Sequence, residues 1–155
     1  MTFPVLKFLH ISSMFLATAL AVGPSVLLYL IARSGDAGAI RRAFGHSTAV
    51  FRVGGAFYGL GLFFGFAAAL TGQLDLTQSW LVTAYVLVGL LIATNLVFER
   101  WTRRIEESVS TSEQEPSAEL PEVIQARAAL YSLVAMVTLT LMIVFVMVVK
   151  PTLFG

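Results

Sequence analysis

Residues 128–149 read AALYSLVAMVTLTLMIVFVMVV, a run of 22 residues that contains no charged side chain. A helix of about 20 apolar residues is long enough to cross a hydrocarbon core about 30 Å thick. Because a segment inside that core finds no water, it must bond its own peptide groups, and a helix does so. The run also lacks the period-two alternation of a barrel strand. It therefore predicts a membrane-spanning helix.

Three more uncharged runs of similar length precede this one, over residues 8–32, 53–74 and 76–98. The predicted fold class is all-α: a single polytopic transmembrane domain, residues 1–155, built as a four-helix bundle. The predicted helices cover about 4–32, 48–73, 77–101 and 123–150. The first is expected to be a retained helix and not a cleaved signal, because its apolar stretch continues well past a signal core of about 7–15 residues.

The composition excludes several classes of function. Only 12% of the residues are charged, whereas soluble domains carry about 25%. There is no cysteine, which excludes disulfides, thiolate nucleophiles and iron–sulfur clusters. The four runs contain no Asp, Glu, Lys or Arg, which argues against proton-coupled transport and carboxylate catalysis inside the membrane. No basic face with interleaved aromatic residues is present, so nucleic acid is not expected as a partner.

The arginines predict the orientation. They lie in two connections, between the first and second helices and between the third and fourth. Since basic loops stay in the cytoplasm, residues 33–47 and 102–122 are expected there, with both termini external. The expected location is the bacterial inner (plasma) membrane, with a multi-pass topology. Within the second connection, residues 105–122 carry several glutamates and two prolines, which predicts a flexible acidic loop. The short turn between the second and third helices predicts that these two are antiparallel neighbours.

His10 is the polar residue of most interest inside a predicted span. It lies on a helical stripe that is expected to face the bundle, because the opposite stripe consists of large apolar residues that suit lipid. The inward stripe comprises His10, Ser13, Met14, Ala17, Ala21, Pro24 and Leu28, and the outward one Phe8, Phe15, Val22, Val26 and Leu30. Two interpretations remain open. The imidazole either hydrogen-bonds another helix or serves as an axial ligand to haem or another metal.

The haem interpretation draws on residues predicted to lie at the same depth. Met142 and Met147 on the last helix are candidate second ligands, and Lys7 and Lys150 are candidate partners for haem propionates. Each also has an ordinary interpretation, because methionines fill gaps between apolar helices and terminal lysines extend to water. Asn95, in the third helix, is expected to hydrogen-bond a neighbouring helix.

Small residues form a stripe on the second predicted helix. Its members are Gly54, Tyr58, Gly61, Gly65, Ala68 and Gly72. The spacing Gly61-x-x-x-Gly65 allows two membrane helices to approach closely. The same glycines would alternatively make room for a flat cofactor. His46, at the start of this helix, is predicted to lie most of a bilayer away from His10.

Three short motifs carry a resemblance. They are Lys7-Phe8-Leu9-His10, then Thr71-Gly72 followed by Ser79-Trp80-Leu81, and Met147-Val148-Val149-Lys150-Pro151. Together they resemble a family of predicted bacterial four-helix integral membrane proteins of unknown function. The chain more distantly resembles copper-resistance protein D and the HemJ-type protoporphyrinogen oxidases. The HemJ resemblance implies an association of His10 with haem b.

The function expected from these features is that of a small structural or accessory subunit without a catalytic activity that the residues identify. Its partners would be the lipid bilayer and, as a homo-oligomer or within a larger complex, other membrane chains. The alternative is a b-haem-binding redox protein, or a relative of the porphyrin oxidases, that uses His10.

Overall fold

The computed structural model describes residues 2–110 and 127–150. Its helices are α1 (Thr2–Ser34), α2 (Ala37–Phe44), α3 (Ser47–Thr71), α4 (Ser79–Ser110) and α5 (Arg127–Val149). No strand occurs in these two described ranges. Four spans are long and apolar enough to cross a membrane: α1, the α2–α3 segment, α4 and α5. The prediction of an all-α chain with four long apolar helices is confirmed.

The two faces of α1 differ in exposure as the sequence pattern predicted. Ala17 on the inward stripe is fully buried, whereas Phe8 and Phe15 on the outward stripe are 67% and 72% exposed. The helix continues through Pro24. Since proline has no N–H to donate, the carbonyl four residues earlier, that of Leu20, loses its partner within the helix.

A short helix, α2, lies within residues 33–47, which the sequence predicted only as a connection between the first two spanning helices. Gly35 enters it with a φ of +72°, a conformation that favours glycine. The Asp36 carboxylate then caps the helix by accepting bonds from the N–H groups of Gly38 and Ala39, at 2.8 and 3.0 Å. Ile40 and Phe44, four residues apart on one face, are buried. Those two side chains fix α2 against the bundle.

The turn between α3 and α4 is closed by Asp75. Its carboxylate accepts bonds from the backbone N–H and the hydroxyl of Thr77, at 2.9 and 2.6 Å. These two bonds hold the pKa of the Asp75 carboxyl below its ordinary value.

Helix α4 is longer than expected. It ends at Ser110, nine residues beyond the predicted end near 101. The flexible loop expected over 105–122 is therefore wrong for residues 105–110, and its remainder, 111–122, lies outside the described residues. Two features extend the helix: Ile105 is buried in the core, and Arg103 pairs with Glu99 at 2.6 Å, one turn earlier.

The helices pack as two close pairs, α1 with α3 and α4 with α5. A shared core joins them, in which α2 contacts α1 and α4. Trp101 of α4 is central to this core, with its ring 6.1 Å from that of Phe44, 5.2 Å from that of Phe98 and 6.2 Å from that of Tyr29. The expectation that the short turn would make α3 and α4 close neighbours needs correction. The closest partner of α3 is α1, because its glycines face that helix.

Candidate functional site

The candidate site lies in the interface between α1 and α3, which run antiparallel. A glycine of α3, or its C-cap residue Gly72, meets an α1 side chain at each of four levels. From one end to the other, Phe3 lies against Gly72, His10 against Gly65, Met14 against Gly61 and Leu20 against Gly54. A side chain on α3 at the first three of these levels would collide with its neighbour. The predicted close-packing role of the glycine stripe is confirmed.

The imidazole of His10 bridges the two helices. Its Nδ1 lies 2.7 Å from the backbone carbonyl oxygen of Gly61. A carbonyl oxygen only accepts hydrogen bonds, so Nδ1 carries the proton and donates. In a neutral ring this leaves Nε2 with a free lone pair. That nitrogen is the part of the site able to bind a metal or accept a second hydrogen bond.

The ring of His10 fits because residue 65 has no side chain. A Cβ built on Gly65 would lie 2.7 Å from Nδ1 and 2.8 Å from Cε1 of the imidazole. At Gly61, a Cβ would overlap the thioether of Met14. The side chains of α1 thus occupy the space that these glycines open. At this interface the glycines therefore allow close helix packing. The alternative interpretation, that they make room for a flat cofactor, does not hold at these positions, because side chains of α1 occupy the space.

The other polar side chains of the long helices are mostly bonded within their own helix. Asn95 is one of them: its Nδ2 donates to the carbonyl of Leu91 at 2.8 Å. Among the described residues, the hydrogen bond of Asn95 thus lies within α4 and not, as expected, between two helices. Ser25 and Thr83 likewise donate to carbonyls four residues earlier, at 2.6 and 2.7 Å. Such bonds satisfy the hydroxyl without a partner helix.

Most of the remaining candidate residues lie on or directly after α5, whereas Lys7 lies on α1, three residues before His10. Met142 is 47% exposed on α5, and Met147 packs against the central core. Lys150 lies over the ring of Trp80, with 5.2 Å between Nζ and the ring centroid, and Lys7 is exposed. His10, by contrast, contacts α3. Among the described residues, no group of three or more His, Cys, Asp or Glu side chains is placed to hold a metal ion.

His46 is the N-cap residue of α3, but its side chain makes no capping hydrogen bond to that helix. Its Nδ1 lies 3.1 Å from the carbonyl oxygen of Arg42, at the end of α2. This histidine therefore links α2 to the start of α3.

Thr140 on α5 is a polar residue that the sequence pattern did not indicate. Its hydroxyl oxygen is buried and has no hydrogen-bond partner among the described residues. Threonine is common in apolar helices and usually bonds the preceding turn, so the sequence alone gives no signal that Thr140 differs.

Comparisons of this chain with protein-family models, curated protein sequences and solved structures found no match.

Proposed function

We propose that this chain is a multi-pass protein of a bacterial inner membrane and serves there as a non-catalytic structural or accessory subunit. The observation that carries the proposal is the closed α1–α3 interface. Its most reactive side chain, His10, donates a hydrogen bond to Gly61 across the interface. Gly65, beside it, is covered by the same ring. A histidine used in this way holds two helices together.

The proposed orientation rests on the arginines. Arg41 and Arg42 on α2 and Arg100 and Arg104 on α4 are exposed at one end of the bundle. The turn between α3 and α4, at the other end, has no basic residue. Basic residues remain on the cytoplasmic side, so both long connections are cytoplasmic and both termini external.

The absence of cysteine permits a clean test of this orientation. Ser34→Cys and Thr77→Cys place one thiol at each end of the bundle, both at exposed positions. A thiol reagent that cannot cross the membrane is expected to label residue 77 in intact spheroplasts and residue 34 only after permeabilisation. The reverse pattern would overturn the orientation, and labelling of both in intact spheroplasts would overturn the membrane topology.

The role as a subunit predicts an assembly larger than one chain, either a homo-oligomer or a complex with other membrane proteins. The test is the mass of the tagged chain, produced at its native level and extracted in mild detergent, measured by light scattering with the detergent subtracted. We expect a mass of at least two chains. A single chain as the sole species would contradict the proposal.

The free Nε2 of His10 supports a second candidate function, a b-haem-binding redox protein or a relative of the porphyrin oxidases. Histidines that bind metals commonly donate their other ring N–H to a backbone carbonyl, as His10 does to Gly61. His10 would hold the haem iron, and haem would supply one-electron redox chemistry. A Soret band in protein purified from haem-supplied cells would favour this candidate, and a colourless preparation would favour the structural role.

A further inference from the structure

An apolar groove runs along the outer surface of the α4–α5 pair. Leu90 and Thr94 of α4 form one wall, and Tyr131, Val134 and Thr138 of α5 form much of the other. The hydroxyl of Thr94 donates to the carbonyl of Leu90, so this wall offers no free polar group there. On α5 the groove extends from residue 130 to 139, which at 1.5 Å per residue is about 14 Å. That length is about half of a 30 Å hydrocarbon core, the depth of one leaflet.

Two arginines lie beyond one end of this groove. Arg127 shares a face of α5 with Tyr131, Val134 and Thr138, at spacings of four, seven and eleven residues. Arg104 follows Leu90 by 14 residues, about four turns of α4, and so lies near the same face. Both arginines are exposed. The ion pair between Arg103 and Glu99 at this end involves neither of them.

We propose that this groove binds one acyl chain of an anionic phospholipid, whose headgroup phosphate is held by Arg104 and Arg127. The proposal rests on the membrane insertion argued above. Apolar walls of one leaflet's depth suit an acyl chain, and the guanidinium groups at the end suit a phosphate, which arginine recognises by paired hydrogen bonds. The exposed ring of Tyr131, one turn from Arg127, lies where aromatic residues meet the membrane interface.

The length of the groove and the charge at its end favour this occupant over a second copy of the chain. A second copy would bring the same arginines and hence like charge to the site. A zwitterionic lipid would fill the groove without using the two arginines. Basic pockets between spanning helices on the cytoplasmic side are a general site for anionic headgroups.

The test is native mass spectrometry of the detergent-purified chain with equal amounts of phosphatidylglycerol and phosphatidylcholine that carry the same acyl chains. We expect preferential retention of phosphatidylglycerol. Arg104→Gln and Arg127→Gln are each expected to weaken its retention about fivefold, the usual effect of one basic residue near an anionic surface. Arg33→Gln with Arg52→Gln is the matched control, because it removes two exposed arginines away from the groove.

A third variant tests the groove itself. Thr138→Phe fills it at an exposed position and is expected to lower retention of both lipids while every arginine remains. Circular dichroism of each variant checks that the helices are intact. Equal retention of the two lipids by the parent, or an equal loss in the control variant, would overturn the proposal. Competition by soluble glycerol phosphate as strong as that by phosphatidylglycerol would also overturn it, since the site would then bind phosphate alone. A chain found outside the membrane fraction would instead refute the proposed function.

Discussion

The Nδ1 atom of His10 lies 2.7 Å from the carbonyl oxygen of Gly61, in a hydrogen bond that joins α1 to α3. This bond depends on a second residue, Gly65, because a Cβ there would lie within 2.8 Å of the imidazole ring. The ring reaches the carbonyl through space that only glycine leaves open. The hydrogen bond of His10 and the close packing at Gly65 thus depend on each other.

The first prediction compares two glycines of α3. Gly65→Ala is expected to destabilise the protein by about 1–3 kcal/mol, the usual cost of overpacking, because the new methyl group displaces His10. Gly59→Ala is the matched control, since a Cβ at Gly59 meets nothing within 4 Å. It is expected to be neutral or to stabilise by up to about 1 kcal/mol, because glycine is a poor helix former. Reversible unfolding in mixed micelles measures both.

A further variant tests the coupling. If Gly65→Ala destabilises the protein by displacing His10, the double variant Gly65→Ala, His10→Ala should lose less stability than the sum of the two single variants. Equal effects at residues 59 and 65, or strict additivity in the double variant, would contradict the packing of His10 against Gly65.

The second prediction concerns the role of His10. For a structural hydrogen bond, His10→Gln should cost about 0.6 kcal/mol, the average for such bonds between membrane helices, since glutamine keeps a donor. If His10 ligates haem, glutamine should abolish or shift the Soret band, because it cannot replace the imidazole. Thermal unfolding and the absorbance spectrum of parent and variant separate the two functions. We expect a colourless parent and a small loss of stability. A pigmented parent that loses its colour in the variant would refute this and make His10 the functional centre.

The sequence was sufficient for the spans and for the glycine contact, because both follow from local patterns. Charge-free runs of 22–25 residues define the spans, and the spacing of Gly61 and Gly65 defines a face. The sequence was not sufficient to predict which helix packs against that face. A short turn restricts where α4 begins, but it does not determine which helix packs against the glycines of α3. The side chains that pack against them belong to α1.

The short helix α2 was missed although its signals are present in the sequence. Asp36 is a good N-cap, and Ile40 and Phe44 have the spacing of one helical face. Eight residues are too few to form a stable helix alone, so the decisive contribution is tertiary packing onto Trp101. That contact joins distant parts of the chain and cannot be derived from the local pattern.

The third prediction tests this packing. Phe44→Ala removes a buried ring and is expected to destabilise the protein by about 3–5 kcal/mol through the cavity it leaves. Phe63→Ala is the control, because Phe63 is 66% exposed. It is expected to change stability by no more than about 0.5 kcal/mol. The emission of Trp101, measured in a Trp80→Phe background, should shift to the red in the Phe44 variant alone. Equal losses from the two variants would show that α2 is not anchored in the core.

The fourth prediction addresses the buried hydroxyl of Thr140, which has no hydrogen-bond partner among the described residues. Burial of a hydroxyl without a partner costs about 1–3 kcal/mol, so Thr140→Val, which keeps the shape, is expected to stabilise the protein by about 1 kcal/mol. Thr83→Val is the matched control, because the Thr83 hydroxyl donates to the carbonyl of Ser79. The control should lose about 0.5–1 kcal/mol with that bond. Unfolding of both variants in the same micelles gives the comparison. A loss of stability in Thr140→Val as large as that in the control would contradict the prediction. It would mean that the Thr140 hydroxyl has a hydrogen-bond partner in the membrane, supplied by a second chain or a bound molecule.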